Sequence, residues 1–191
     1  MEILLQVLIG IGLAATCGFR VFVPLFVMSV AGVSGYMSFS AGFEWIASYP
    51  ALIIFGVATI LEIVAYFFPY VDNILDMASL PIGVVAGIIV VASVVTDVDP
   101  ILRWTLAVIA GGGIAAGTGV ISNAVHALST ATTGGTANPA VSTVESGATV
   151  VMTILSVVLP IVGVLVVALV LFLTIRYVIR RKKKKEASPV V

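Results

Sequence analysis

The sequence predicts an all-α, polytopic membrane helix bundle, and three observations carry that prediction. Of the 191 residues 61% are hydrophobic and only 9% charged, with a mean hydropathy of +1.26, whereas about a quarter of a soluble domain's residues are charged. So few charges cannot cover a surface that faces water on all sides. The apolar residues gather into five or six segments, some near the ~20 residues that a helix needs to cross a bilayer and some nearer to half of that. The last segment stops at Arg176-Tyr-Val-Ile-Arg-Arg-Lys-Lys-Lys-Lys185, which holds seven of the nine Lys and Arg residues. An apolar run that ends in a cationic cluster keeps that end in the cytoplasm.

These features divide the chain into a single transmembrane domain, residues 1–175, and a basic cytoplasmic tail, residues 176–191. The expected location is the cell inner membrane, with several passes and a cytoplasmic C-terminus. The formal net charge of zero hides this asymmetry, because the carboxylates are scattered and the cations are pooled. A basic tail beside a span reads as a contact for anionic lipid headgroups and not for nucleic acid. The lone cysteine, Cys17, excludes an intramolecular disulfide and a cysteine metal cluster. Met-Glu-Ile-Leu-Leu lacks the positive n-region of a signal peptide, so the first apolar segment is expected to be retained.

The elements follow in order. Ile3 to Val33 is apolar but too long for one simple span, and Thr16-Cys-Gly-Phe-Arg20 and Pro24 interrupt it. It reads as a helix from Ile3 to about Gly18, a break, and a second piece from Val21 to Val33, short enough for a half-helix. Residues 34–50 read as an interfacial loop, since Tyr36, Trp45 and Tyr49 suit headgroup depth. Ala51 to Phe68 is the next span, and Pro69 ends it. Tyr70 to Ser79 reads as a short polar connection or surface helix, Ile82 to Val95 as another apolar run, and Asp97 to Pro100 as a turn. Ile101 to about Leu128 reads as one long helix. Its Gly- and Ala-rich middle, Ala110 to Gly119, lets neighbours approach closely and marks it as the central helix. Ser129 to Gly147, rich in hydroxyls and broken by Gly134, Gly135 and Pro139, is either an external loop or a segment dipping back to line a polar cavity. Ala148 to Ile175 is the final span, kinked at Pro160. Counting back from a cytoplasmic C-terminus places 129–147 outside and the Asp97–Arg103 turn inside. Gly12-Leu-Ala-Ala-Thr-Cys-Gly18 and Gly113-Ile-Ala-Ala-Gly-Thr-Gly119 share a spacing of small residues. Either a paired repeat or ordinary Gly/Ala-rich helix composition produces such a match.

Arg20 is the residue that most needs a reason. A guanidinium at membrane depth costs a few kcal/mol even on the lenient insertion scale, and such groups pair or face a cavity. It either binds an anionic group or serves as the counter-ion of Glu62 in a gate; the structural alternative is snorkelling to the interface or a static ion pair. Glu62 lies near mid-span with Thr59 and Tyr66 along its face. A carboxyl there that takes up a proton suits proton coupling, whereas one paired with Arg20 suits a brace. His126, one turn beyond Ser122 and Asn123, fits a proton relay or an interhelical hydrogen bond. Thr133, Gly134, Gly135 and Asn138 lie in Thr132-Thr-Gly-Gly-Thr-Ala-Asn-Pro139, which offers hydroxyls, free amides and an Asn-Pro helix start. That is favourable to anions, or it is simply a well-formed turn. Asp72 and Asp76, one turn apart, read as a solvated face before a cation site. No nucleophile elbow, zinc-binding HExxH or phosphate loop is present.

Several of these pieces resemble one family, the membrane proteins that carry the domain of unknown function 4126. The resemblance rests on Gly18-Phe-Arg-Val-Phe-Val-Pro-Leu25, on Glu62 followed by Pro69-Tyr-Val-Asp72 and Pro81, on Ala110-Gly-Gly-Gly113, and on Thr133-Gly-Gly-Thr-Ala-Asn-Pro139 with Ser142 and Glu145. It covers nearly the whole chain except the basic tail. Where relatives often carry a Glu-Asp pair after the Asn-Pro segment, this chain has Glu145-Ser146. The resemblance implies a multi-span membrane protein and brings no established activity.

The residues therefore lead to the expectation of a non-catalytic transporter or channel for a small polar or anionic solute, with proton coupling. Arg20, Thr133, Gly134, Gly135 and Asn138 are the expected solute-binding residues, and Glu62 and His126 the expected coupling or gating residues. No metal and no cofactor is expected. A monomer of this size encloses little volume, which favours a homo-oligomer. The alternative is a membrane scaffold or assembly factor in which the same polar groups only lock helices together; a lipid-modifying enzyme ranks third.

Overall fold

The computed structural model describes residues 3–66, 68–169, 172, 173 and 176. The tail beyond Arg176, and with it the predicted headgroup contact, lies outside the described residues. All regular structure among the described residues is helical: α1 (Ile3–Cys17), α2 (Phe22–Val33), a short 3-10 turn (Glu44–Ala47), α3 (Tyr49–Ala65) and α4 (Pro69–Val94). After these come α5 (Pro100–Leu106), a π-helical turn (Ala107–Gly112), α6 (Gly113–Thr133), α7 (Asn138–Val158) and α8 (Pro160–Leu169). The stretch Pro100–Thr133 is one rod of 34 residues, and it and Asn138–Val158 are long and apolar enough to cross a membrane. The apolar parts of the other helices, Ile3–Cys17, Phe22–Val33, Tyr49–Ala65, Ala78–Val94 and Pro160–Leu169, are shorter.

Helix α1 is the axis of the bundle. Gln6, Ile9, Gly10 and every residue from Gly12 to Cys17 are buried, and α2, α4, α6 and α7 all pack on it. The glycine-rich helix expected at the centre instead buries one face, with Ala107, Gly111 and Gly112 in the π-helical turn followed by Ala115, Thr118, Gly119, Ser122, His126 and Ser129 in α6, at the three-to-four spacing of one helix face. Its Gly113 and Gly117 face open space. Small residues mark where helices touch, yet only some of them are used for that.

The break after Cys17 reverses the chain. Gln6 bonds Thr96, and a side chain on Gly10 would meet Val91 and one on Gly83 the Cys17 carbonyl, so α1 runs antiparallel to α4. Beyond α2, Ser40 bonds the Ala92 and Ser93 carbonyls at that same end of α4. The far end of α2 has therefore returned to the level of the start of α1. The predicted break is a hairpin with Arg20 at its tip.

Three other predicted segments fold differently from expectation. Residues 129–147 are not a long loop: α6 continues to Thr133, closed by Gly134 in the left-handed conformation (φ 63°), and α7 begins at Asn138. Only 134–137 connects them, because the glycines terminate one helix and Pro139 suits the first turn of the next. Nor does Pro160 kink a single final span. A side chain on Gly163 would collide with the Ser156 backbone, and Val167 of α8 joins Ala15 and Met152 in one apolar cluster. Helix α8 thus folds back along α7. Likewise Tyr70 to Ser79 belongs to α4, which carries Pro81 inside it.

Helix α6 reaches α1 because Gly18 has no side chain: a Cβ there would meet the Ala115 carbonyl at 2.5 Å and the Gly119 nitrogen at 2.7 Å. Backbone atoms cannot step aside as a side-chain tip can. Gly18→Val is expected to lower the melting temperature of detergent-solubilised protein, on the scale of the ~1–3 kcal/mol that overpacking costs. Gly113→Val, at an open position, is the matched control and should leave the midpoint in place.

Candidate functional site

Arg20 sits at the tip of the α1–α2 hairpin with 1% of its surface exposed, and it is the largest fully buried side chain among the described residues. Its donors are directed by α7. Nε donates to Ser146 Oγ at 3.1 Å and Nη2 to the Ser142 carbonyl at 3.3 Å, while Nη1 reaches the adjacent Phe19 carbonyl at 3.4 Å. Nη2 also lies 3.7 Å from Glu145 Oε2, an ion pair through one oxygen. The flat guanidinium lies over the ring of Tyr66, its carbon 3.5 Å from the ring centroid, where the aromatic face attracts a cation.

Glu145 gathers the rest of the cluster. Its Oε1 accepts from Ser122 Oγ at 2.6 Å, and His126 Nε2 lies 3.0 Å from Oε2. Ser122 and His126 are one turn apart on the buried stripe of α6, so a single carboxylate spans one turn of that helix and reaches Arg20. The His126 ring meets Tyr66 edge-on at 6.1 Å.

Glu62 takes another part. Its Oε1 accepts from the Val21 amide at 2.7 Å and Oε2 from the Phe22 amide at 3.0 Å. Both amides belong to the start of α2, where no side chain of α2 itself caps the helix. The first amides of a helix lack intrahelical partners and carry partial positive charge; a carboxylate from α3 answers both needs. Pro24, in the same first turn, contributes no donor. The direct pairing of Arg20 with Glu62, one of the alternatives the sequence left open, gives way to a division of labour: Glu145 faces the guanidinium, and Glu62 holds the adjacent helix end. Tyr66, one turn beyond Glu62, supplies the aromatic bed.

Arg20, Glu62 and His126, three of the residues singled out by sequence, thus converge around Tyr66. The Thr133–Asn138 segment does not touch Arg20 through any hydrogen bond or ion pair among the described residues. Thr133 Oγ1 donates to the Ser129 carbonyl and accepts from the Ala137 amide, and Asn138 Nδ2 donates to Thr130 Oγ1 at 2.9 Å. Gly134 and Gly135, with φ of 63° and 86°, form the turn. The side chain and carbonyl that hold Arg20 come from Ser142 to Ser146, one to two turns further along α7. A signal for this existed: Asn138, Ser142, Glu145, Thr149, Thr153 and Ser156 recur at helical spacing and form the inner face of α7.

Two clefts that share no lining residue flank the cluster. One, of about 490 Å³, lies between α6 and α7 and is lined by Phe19, Ser122, Glu145 and apolar residues. The other, of about 400 Å³, lies between α3 and α4 and includes Glu62, Tyr66 and Ser79. Residues 7–180 match the family described as a domain of unknown function, DUF4126. The chain is a member of that family. No curated protein and no solved structure matches it.

Removing the Glu62 carboxylate strands two part-buried helix-end amides, so Glu62→Ala should destabilise the fold by about 1–3 kcal/mol. Glu62→Gln, which keeps one carbonyl acceptor, should fall between it and the parent. Melting temperatures of the three proteins in one detergent check the ranking.

Proposed function

We propose that the chain is a multi-pass protein of the cell inner membrane that moves a small polar or anionic solute, coupled to protons, through the region around Arg20. Its composition and its two long apolar helices support a membrane location, with the shorter helices forming broken or half-spanning segments of a five- or six-segment bundle. The basic run from Arg176 supports a cytoplasmic C-terminus and a contact with anionic headgroups. Because α7 and α8 form a hairpin, and the apolar sequence continues from α8 to Ile175, the whole run 160–175 is counted as one more crossing between the tail and the 134–137 turn. That turn then falls on the cytoplasmic side and the Asp97–Arg103 turn on the opposite side, the reverse of the simple count.

The observation that carries the transport reading is a fully enclosed guanidinium, held to Glu145 by one oxygen at 3.7 Å, between two separate clefts. Charges kept at membrane depth mark solute or proton paths. In this reading Arg20 attracts the solute, the Thr133–Asn138 turn shapes the end of α7 nearest to it, and His126 with Glu145 handles the proton. Glu62 holds α2 in register as the gate's hinge point. A homo-oligomer supplies enclosed volume that one copy lacks. The 1% exposure of Arg20 favours a second reading, a non-catalytic scaffold in which the cluster locks helices together.

Reconstitution into liposomes separates the two. Transport predicts solute entry with the parent protein and loss of entry in Arg20→Lys, which keeps the charge but not the planar fork, with unchanged elution from a sizing column. Scaffolding predicts no entry with the parent protein and a melting temperature that falls in the same variant. Cysteines placed at residues 136 and 98 and labelled from one side of sealed vesicles test the orientation: only the former should react from the cytoplasmic face.

A further inference from the structure

We infer that Glu145 is a resident stand-in for a small monovalent anion: it occupies the anion-accepting face of Arg20 and leaves it when it and His126 take up a proton. This inference rests on the transport reading and adds a substrate class and a stoichiometry to it. Three features support it. Glu145 lines the cleft between α6 and α7 whereas Arg20 does not, so the carboxylate stands between that cleft and the guanidinium. It holds Arg20 less closely than it holds α6: 3.7 Å to Nη2, against 2.6 Å to Ser122 Oγ and 3.0 Å to His126 Nε2. A carboxylate that lets go of Arg20 therefore still has partners. Ser146 Oγ already accepts from Nε, and Ser142, whose carbonyl accepts from Nη2, carries on a residue 2% exposed an Oγ that makes no hydrogen bond among the described residues. A guanidinium and two hydroxyls are a donor set for a chloride-sized or small oxyanion ligand.

Charge balance sets the stoichiometry. Around Glu145 the described titratable and charged groups are Arg20 from the hairpin tip, His126 from α6, and Tyr66 and Glu62 from α3. Glu62 is engaged by the amides of α2. An added anion on Arg20 with Glu145 still ionised leaves an uncompensated negative charge in a low-dielectric interior, which is strongly unfavourable. A proton shared by the Glu145–His126 pair removes it. The anion on Arg20 then replaces one carboxylate charge, and the proton stays on the pair until the anion departs. No bond other than the O–H or N–H of that proton forms or breaks. The cycle carries one anion with one proton in the same direction and moves no net charge.

The test uses the full chain in sealed liposomes with an internal pH dye and imposed inward gradients of chloride, nitrate or methanesulfonate, strong-acid anions that do not cross lipid as neutral acids. The expected result is internal acidification in step with anion entry, insensitive to a potassium–valinomycin potential. Glu145→Gln, neutral at every pH, should turn anion entry into a current that follows the potential and carries no protons. Anion entry in the parent protein without acidification, or entry that follows the potential, overturns the inference and leaves transport standing. Entry of glycerol or urea with none of the three anions does the same. Entry of none of these solutes removes both.

Discussion

A guanidinium shut away from water has to be answered by protein, and the architecture around Arg20 follows from that requirement. Leaving a buried charge without its partner costs about 3–5 kcal/mol, a large share of the ~5–15 kcal/mol that holds a typical domain together. The partners come from far along the chain, since Ser146 is 126 positions away from Arg20. One side chain therefore fixes the tip of the α1–α2 hairpin against α7, and through Glu145 against α6. Tyr66 brings in the end of α3. Four separate stretches meet at a single charge.

Around that charge the two carboxylates solve different problems. Glu145 balances Arg20 and ties Ser122 and His126 to it, whereas Glu62 supplies the cap that α2 lacks in its own sequence. The hairpin tip needs both, because a chain that reverses inside a bundle exposes helix-end amides as well as whatever side chain sits at the bend. The close approach that brings these groups together depends on missing side chains: Gly18 against Ala115 and Gly119, and Gly87 against Gly111 and Ala115. Packing of small residues and pairing of charges are thus two aspects of one junction. The π-helical turn, Ala107–Gly112, lies where α4 presses on the long rod, a place where an irregular turn adjusts helix register.

The helical class was legible from composition, and Arg20, Glu62 and His126, which the structure brings together around Tyr66, stood out as isolated ionisable groups. The break at Gly18–Arg20 was legible too, but not that the chain doubles back there, since a reversal is defined by contacts to α4 that local sequence does not encode. The segment 129–147 misled because its hydroxyls and glycines resemble a loop. Read at helical spacing, Ser142, Glu145 and Thr149 were the polar face of a helix, and only residues 134–137 belonged to a turn. The choice of Glu145 over Glu62 as the counter-ion was invisible for a further reason. Both are single carboxylates with no basic residue near them in sequence, and only the bare start of α2 decides which one is drawn away.

A double-mutant cycle on Arg20→Met and Glu145→Gln, read as unfolding free energies in one detergent, tests the pairing at the centre of this structure. If the guanidinium and the carboxylate answer each other, either single change should be costly and the pair should cost less than their sum, with a coupling of about 1–3 kcal/mol. Effects that add to within about 0.5 kcal/mol would mean that the two charges are balanced elsewhere, and that the junction is held together by packing alone.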